Sequence, residues 1–235
     1  MNPIRSICVY CGSSTGRGET YARAGYALGR SLAEAGLRLV YGGGTRGIMG
    51  AVARGTVEAG GKVTGIIPRF LINKEATHSA LGTLDDLIVT EDMHARKHTM
   101  FEKSDAFVAL PGGIGTLEEV VEIMTWAQLG RHRKPIVLVN IDGFWNPMLA
   151  LIDHMRAKGF VHTGHLVQPL VVDTAEAVVP AGLAQGAAPA EIPGGGDPRG
   201  VDRALRGSAA KKPAAAPTLS CGTGSTRCRA PAPGR

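Results

Sequence analysis

The amino-acid sequence predicts an α/β fold, a doubly wound, mainly parallel sheet in a single domain. Three observations carry this. Short apolar runs alternate with stretches of helical apolar spacing in units of about 30 residues, the rhythm of strand–helix–strand crossovers. Three of those runs lead into glycine-rich turns, Gly12-Ser13-Ser14, Gly42–Gly47 and Gly112–Gly115. In a parallel sheet such turns fall on one edge, where ligands bind. The composition, 44% hydrophobic and 20% charged over 235 residues, suits a globular domain with a sizeable core.

Ser6–Cys11 reads as the first strand. Glu19–Ala35 reads as a helix, with Tyr21, Ala24, Leu28 and Leu32 at helical spacing and Gly36 as its stop. Leu37–Tyr41 is a second strand, Ile48–Ala59 a helix of small residues ended by Gly60-Gly61, and Val63–Ile67 a third strand stopped by Pro68. Phe70–Gly82 has no clean period and reads as an excursion from the sheet. Leu84–Val89 is then a strand, Met93–Lys103 a helix, Asp105–Leu110 a buried strand and Leu117–Leu129 a helix. Pro135–Asn140, Pro147–Lys158, Leu170–Val172 and Ala175–Leu183 read as strand, helix, strand and helix.

From Gly186 the composition shifts to Ala, Pro, Gly, Ser and Arg. Such a segment buries too little apolar surface to offset its ordering entropy, so residues 1–185 are expected to be the domain and 186–235 a disordered tail. The tail also holds most of the chain's net charge of +6: eight Lys/Arg against three Asp/Glu, where the body has eighteen against seventeen. A nearly neutral body argues against a domain built to grip nucleic acid. No apolar stretch has the length of a membrane span and no signal-peptide pattern opens the chain, so no membrane partner and a cytoplasmic location are expected. Cys8 and Cys11 have CxxC spacing on or just after a buried strand, with no second pair in the body. They read as buried free thiols rather than a zinc or redox site.

Pro111-Gly112-Gly113-Ile114-Gly115-Thr116-Leu117-Glu118-Glu119 stands out within the body. A glycine-rich turn between strand and helix presents backbone N–H groups to an anion at the positive helix end. Two carboxylates follow at once, which adds acid–base candidates. The same residues fit a capping box, with Thr116 as N-cap and Glu119 at N3, and both readings stand. Met93, Arg96, Lys97 and Met100 fall on one helix face, a mixture suited to the wall of an anionic pocket. The plainer reading has Met inward and the cations snorkelling to water. His residues show no metal-ligand spacing. A P-loop, a GxGxxG with its acidic partner and a GxSxG elbow are all missing, so metal, dinucleotide and serine-hydrolase chemistry are not favoured.

Cys11-Gly12-Ser13-Ser14, Tyr41-Gly42-Gly43-Gly44 with Gly47-Ile48-Met49-Gly50, Met93-His94-Ala95-Arg96-Lys97 and the Pro111–Glu119 stretch together resemble the LOG (Lonely Guy) family, as does the following Thr125–Gly130. The resemblance spans about residues 5–184. It implies a Rossmann-like sheet, a homodimer or higher oligomer, and hydrolysis of the N-glycosidic bond of cytokinin riboside 5′-monophosphates, needing neither metal nor organic cofactor. By the same resemblance Gly112, Gly113, Ile114, Gly115 and Thr116 would hold the substrate's 5′-phosphate. Arg96, Glu119 and Glu75 would be catalytic, and Met93, Lys97, Glu118, Ser13, Gly43 and Gly44 would contact substrate. The base pocket is expected near Met93 and Trp126. The alternative is a non-catalytic nucleotide or molybdenum-cofactor carrier of the same superfamily, which would not need both Arg96 and Glu119.

Overall fold

The computed structural model describes residues 3–76, 81–161 and 168–183, and for Asn73, Glu75, Gly182 and Leu183 the backbone only. The expected tail, 186–235, lies outside these residues. Seven strands form one parallel sheet: β1 (Ser6–Tyr10), β2 (Arg38–Tyr41), β3 (Val63–Pro68), β4 (Asp86–Thr90), β5 (Ala106–Ala109), β6 (Ile136–Val139) and β7 (Leu170–Val172). Their order is β4-β3-β2-β1-β5-β6-β7. The chain winds outward from β1 to β4, returns to β5 beside β1, and winds outward again. The direction reverses between β1 and β5, and such a switch point opens a crevice at the strands' carboxyl ends.

The inner strands are largely apolar because helices cover both faces. Successive side chains alternate between two cores. Ile7, Val9, Leu39 and Tyr41 join Leu28 and Leu32 of helix α1 (Thr20–Glu34) and Ile48 and Val52 of α2 (Gly47–Glu58). Cys8, Tyr10, Val40 and Phe107 join Met100, Val120 and Ile123 on the other face. The CxxC pair is thereby split, with Cys8 in one core and Cys11 in the other, both free and buried. Burial, and after it the Glu119 carboxylate, pushes both thiols well above their ordinary range, so they stay protonated and unreactive.

Most expected elements are present within two residues at each end, and three readings need correction. The excursion after β3 contains a 3₁₀ turn (Arg69–Leu71) and a short helix, α3 (Ile72–Glu75). The closing helix is reduced to a π-helical turn, Val179–Leu183, preceded by bends and turns. Pro180 supplies no N–H there and Gly182 disfavours helix. The third correction concerns the helix after β5. It is α5 (Ile114–Gln128), following α4 (Met93–Glu102), and it starts three residues before the expected Leu117. Its N-cap is Gly113, in an extended conformation, and the Leu117 N–H already donates to the Gly113 carbonyl at 3.0 Å. Thr116 is therefore inside the first turn and Glu119 beyond it, and the capping box falls.

His132 fastens the far end of α5. It is 9% exposed; one ring nitrogen lies 2.8 Å from the Ile123 carbonyl and the other accepts the Lys134 N–H at 3.1 Å. That arrangement requires a neutral ring, with the proton toward Ile123. Burial lowers its pKa below the ordinary 6.5. The unfolded chain then binds the extra proton first, so stability is lost as pH falls below about 6.5. Denaturation midpoints are expected to drop between pH 7 and pH 5, and the drop should shrink in His132→Gln. An equal pH dependence in that variant would show that another group governs it.

Candidate active site

The three glycine-rich turns meet at the switch point. The Gly12 N–H donates to the Pro111 carbonyl at 3.1 Å, and the Gly12 carbonyl accepts from the Ile48 and Met49 N–H groups at 3.1 and 3.2 Å. The turn after β1 is thus tied on one side to the turn after β5 and on the other to the start of α2. Around the junction lies a cavity of about 300 Å³, lined by Ser13, Gly112 and Gly113, with Tyr21 of α1 and Phe144 among its walls. The two rings meet edge to face, with centroids 6.0 Å apart.

The N-terminus of α5 opens on this cavity. Its first N–H groups have no intrahelical acceptor, and the helix dipole adds partial positive charge, which suits a phosphate. Thr116 folds back beneath the turn: a Cβ on Gly112 would come within 2.2 Å of its Oγ1, so only glycine leaves room for the hydroxyl. Gly113, Ile114 and Gly115 are exposed, Ile114 by 81%.

Arg96 and Glu119 come together as a buried pair. The α4 helix begins where the Asp92 carboxylate accepts the Ala95 N–H at 2.8 Å, and this start sets which residues face inward. Arg96 is 6% exposed, and its Nη1 lies 3.6 Å from Glu119 Oε1. Its Nε donates to the Ile66 carbonyl at 3.2 Å and its Nη2 to the Gly42 carbonyl at 3.3 Å, at the carboxyl ends of β3 and β2. The snorkelling reading is therefore wrong for Arg96. Met93 stands beside it, with its sulfur 3.9 Å from Nη1. A guanidinium fixed by two carbonyls is a rigid positive charge, set beside the Glu119 carboxylate.

Lys97, the next residue, serves a second pairing. Its ammonium contacts Glu118 at 2.5 Å and Glu122 at 3.1 Å, so it ties α4 to two consecutive turns of α5. Burial works against the charged ammonium, but the two carboxylates outweigh it and carry the pKa above the ordinary value. Glu122 carries no mark in the sequence reading, although its spacing of four from Glu118 puts it on the same face. The aromatic walls, Tyr21 and Phe144, also went unforeseen, since only the fold brings them to the turn.

Other expected site residues lie differently. Gly43 and Gly44 are buried at the end of β2, Gly44 against Met49, and they do not line the cavity. Trp126 packs edge-on against Phe101, with centroids 5.0 Å apart, rather than lining either main cavity. Glu75 ends α3, and its side chain lies outside the description.

The family described as "Possible lysine decarboxylase" matches residues 49–181. The probable cytokinin riboside 5′-monophosphate phosphoribohydrolase LOGL9 of Oryza sativa subsp. japonica is 48% identical over 162 residues, 69% of this chain and 70% of its own length. The cytokinin riboside 5′-monophosphate phosphoribohydrolase LOG5 of Arabidopsis thaliana is 49% identical over 158 residues, 67% of this chain and 68% of its own. Among solved structures, the molybdenum cofactor carrier protein of Chlamydomonas reinhardtii superposes with a TM-score of 0.57, over 76% of this chain and 94% of the carrier, at 23% identity. That likeness is one of fold alone. Identity near one half over two thirds of the chain carries more: the chain belongs to the LOG family of cytokinin riboside 5′-monophosphate phosphoribohydrolases.

Proposed function

We propose that this chain hydrolyses the N-glycosidic bond of cytokinin riboside 5′-monophosphates, releasing the free base and ribose 5-phosphate. The observation that carries the reading is the buried Arg96–Glu119 pair set beside an anion-binding helix start. In this reading the phosphate sits on the Gly112–Thr116 turn, which fixes the ribose relative to the pair. As the bond between C1′ and the base nitrogen breaks, positive charge grows on the sugar and negative charge on the base. The Glu119 carboxylate stabilises the first and orients the water that attacks C1′. The water's oxygen joins C1′ and one of its protons ends on the departing base. Arg96 holds Glu119 in place. Glu75 remains a candidate second carboxylate, Lys97 and Glu118 rim the site, and Met93 and Ser13 are its proposed substrate contacts.

The test is incubation of the purified protein with AMP and isopentenyl-AMP, followed by chromatography for base and ribose 5-phosphate. Stoichiometric appearance of both is expected. Tight nucleotide binding with no base released would favour the carrier reading instead.

A homodimer and a cytoplasmic location go with this proposal. Support for the dimer comes from an apolar groove of about 700 Å³ between α5 and α6 (Asn146–Ala157). Val121 and Leu151, 47% and 56% exposed, line it, and it shares Gly112, Gly113 and Phe144 with the site cavity. Exposed apolar patches of this kind mark association surfaces. Val121→Asp together with Leu151→Asp is expected to shift the protein to monomer in sedimentation, and an unchanged mass would place the interface elsewhere.

A further inference from the structure

The turn after β2 opens on three buried glycines, Gly42 to Gly44, and is built closely around one side chain. The Gly42 carbonyl accepts from Arg96 Nη2 at 3.3 Å. A Cβ on Gly42 would come within 2.0 Å of that same nitrogen and 3.1 Å of Cζ, with the Met49 sulfur next at 3.4 Å. Gly42 is not among the residues with positive φ, so its backbone accepts any L-residue. Space for the guanidinium is what the position requires.

We propose that Gly42 is the positioning residue of the Arg96 guanidinium. Its missing side chain forms the berth for Arg96, and its carbonyl, with that of Ile66, aims Nη1 at Glu119. The proposal rests on the activity proposed above only for its kinetic arm. Any Cβ at position 42 expels Nη2 from the berth, because the guanidinium lies at the end of a flexible stem while the β2 backbone is fixed in the sheet. Expulsion breaks the two carbonyl hydrogen bonds and withdraws Arg96 from Glu119. The phosphate turn is untouched, since it belongs to β5 and α5.

The experiment is a double-mutant cycle of Gly42→Ala and Arg96→Ala, read by melting temperature and by base release. Gly42→Ala is expected to lower kcat on the order of 100-fold, the usual size of an ångström-scale misplacement, with KM within about threefold. In the Arg96→Ala background the same alanine should cost nothing further in kcat and little or nothing in melting temperature, because the atom it collides with is gone. If Arg96→Ala does not fold, Arg96→Lys serves the cycle, since lysine ends one atom short of the clash. A Gly42→Ala penalty in melting temperature that persists undiminished in the Arg96 variant would overturn the proposal. So would wild-type turnover and stability in Gly42→Ala alone. The thermal arm stands even if the protein releases no base from any nucleotide, so failure of the activity and failure of the positioning role give different results.

Discussion

Glu119→Gln is expected to remain folded and to lose turnover of isopentenyl-AMP about 1,000-fold, within the usual range for an acid–base group. Glutamine keeps the volume and one oxygen toward Arg96 but removes the negative charge. A neutral amide can neither stabilise a developing oxocarbenium ion nor polarise water. KM should move little, because the phosphate turn, not Glu119, is assigned the ground-state grip. The checks are kcat by base release and a melting curve. Near-full activity in a folded Glu119→Gln sample would take the chemistry away from this residue and make Glu75→Gln the next variant to measure. Capping can no longer explain an effect, since Gly113 is the cap and Glu119 lies past the first turn.

Arg96→Ala is expected to cost about 3–5 kcal/mol of stability, the range for removing one partner of a buried pair. For a protein of this size that is a fall of roughly 10 °C in melting temperature. Two effects add: the carboxylate of Glu119, 9% exposed, loses this cation, and the Gly42 and Ile66 carbonyls lose their donor. The second point makes the prediction specific. Adding Glu119→Gln to Arg96→Ala should recover part of the loss, because the buried charge is gone. Lys97→Ala should cost far less, since its Glu118 partner is half exposed and remains solvated when the ammonium is removed. Thermal melts of these three variants and the wild type decide it. If Arg96→Ala and Lys97→Ala lose equal stability, burial is not what sets the worth of these pairs.

How much could be read beforehand differs by kind of residue. Strand and helix identities followed from periodicity, since alternation and helical spacing are local properties. The chain's grouping of its glycine turns on one edge followed from parallel winding. The start of α5 did not follow. Thr116 and Glu119 fit a capping pattern, but the turn at Pro111-Gly112, tied to Gly12, lets Gly113 cap the helix first. Arg96 and Lys97 are neighbours of similar charge, and no local rule separates them. One is buried against β2, β3 and Glu119, while the other bridges Glu118 and Glu122 at the rim.

By itself, then, the sequence determined the doubly wound sheet, the phosphate-suited turn at the head of α5, and the family pattern that proposes a glycosidic bond as its target. Only the tertiary structure decided which cation is the buried partner of Glu119, that Cys8 and Cys11 belong to opposite cores, and that Gly42 makes way for a guanidinium. The physical reason is one of range. Periodicity and turn chemistry act over a few residues, whereas burial and charge pairing depend on segments more than fifty residues apart meeting at one edge of the sheet, as Gly42 and Arg96 do.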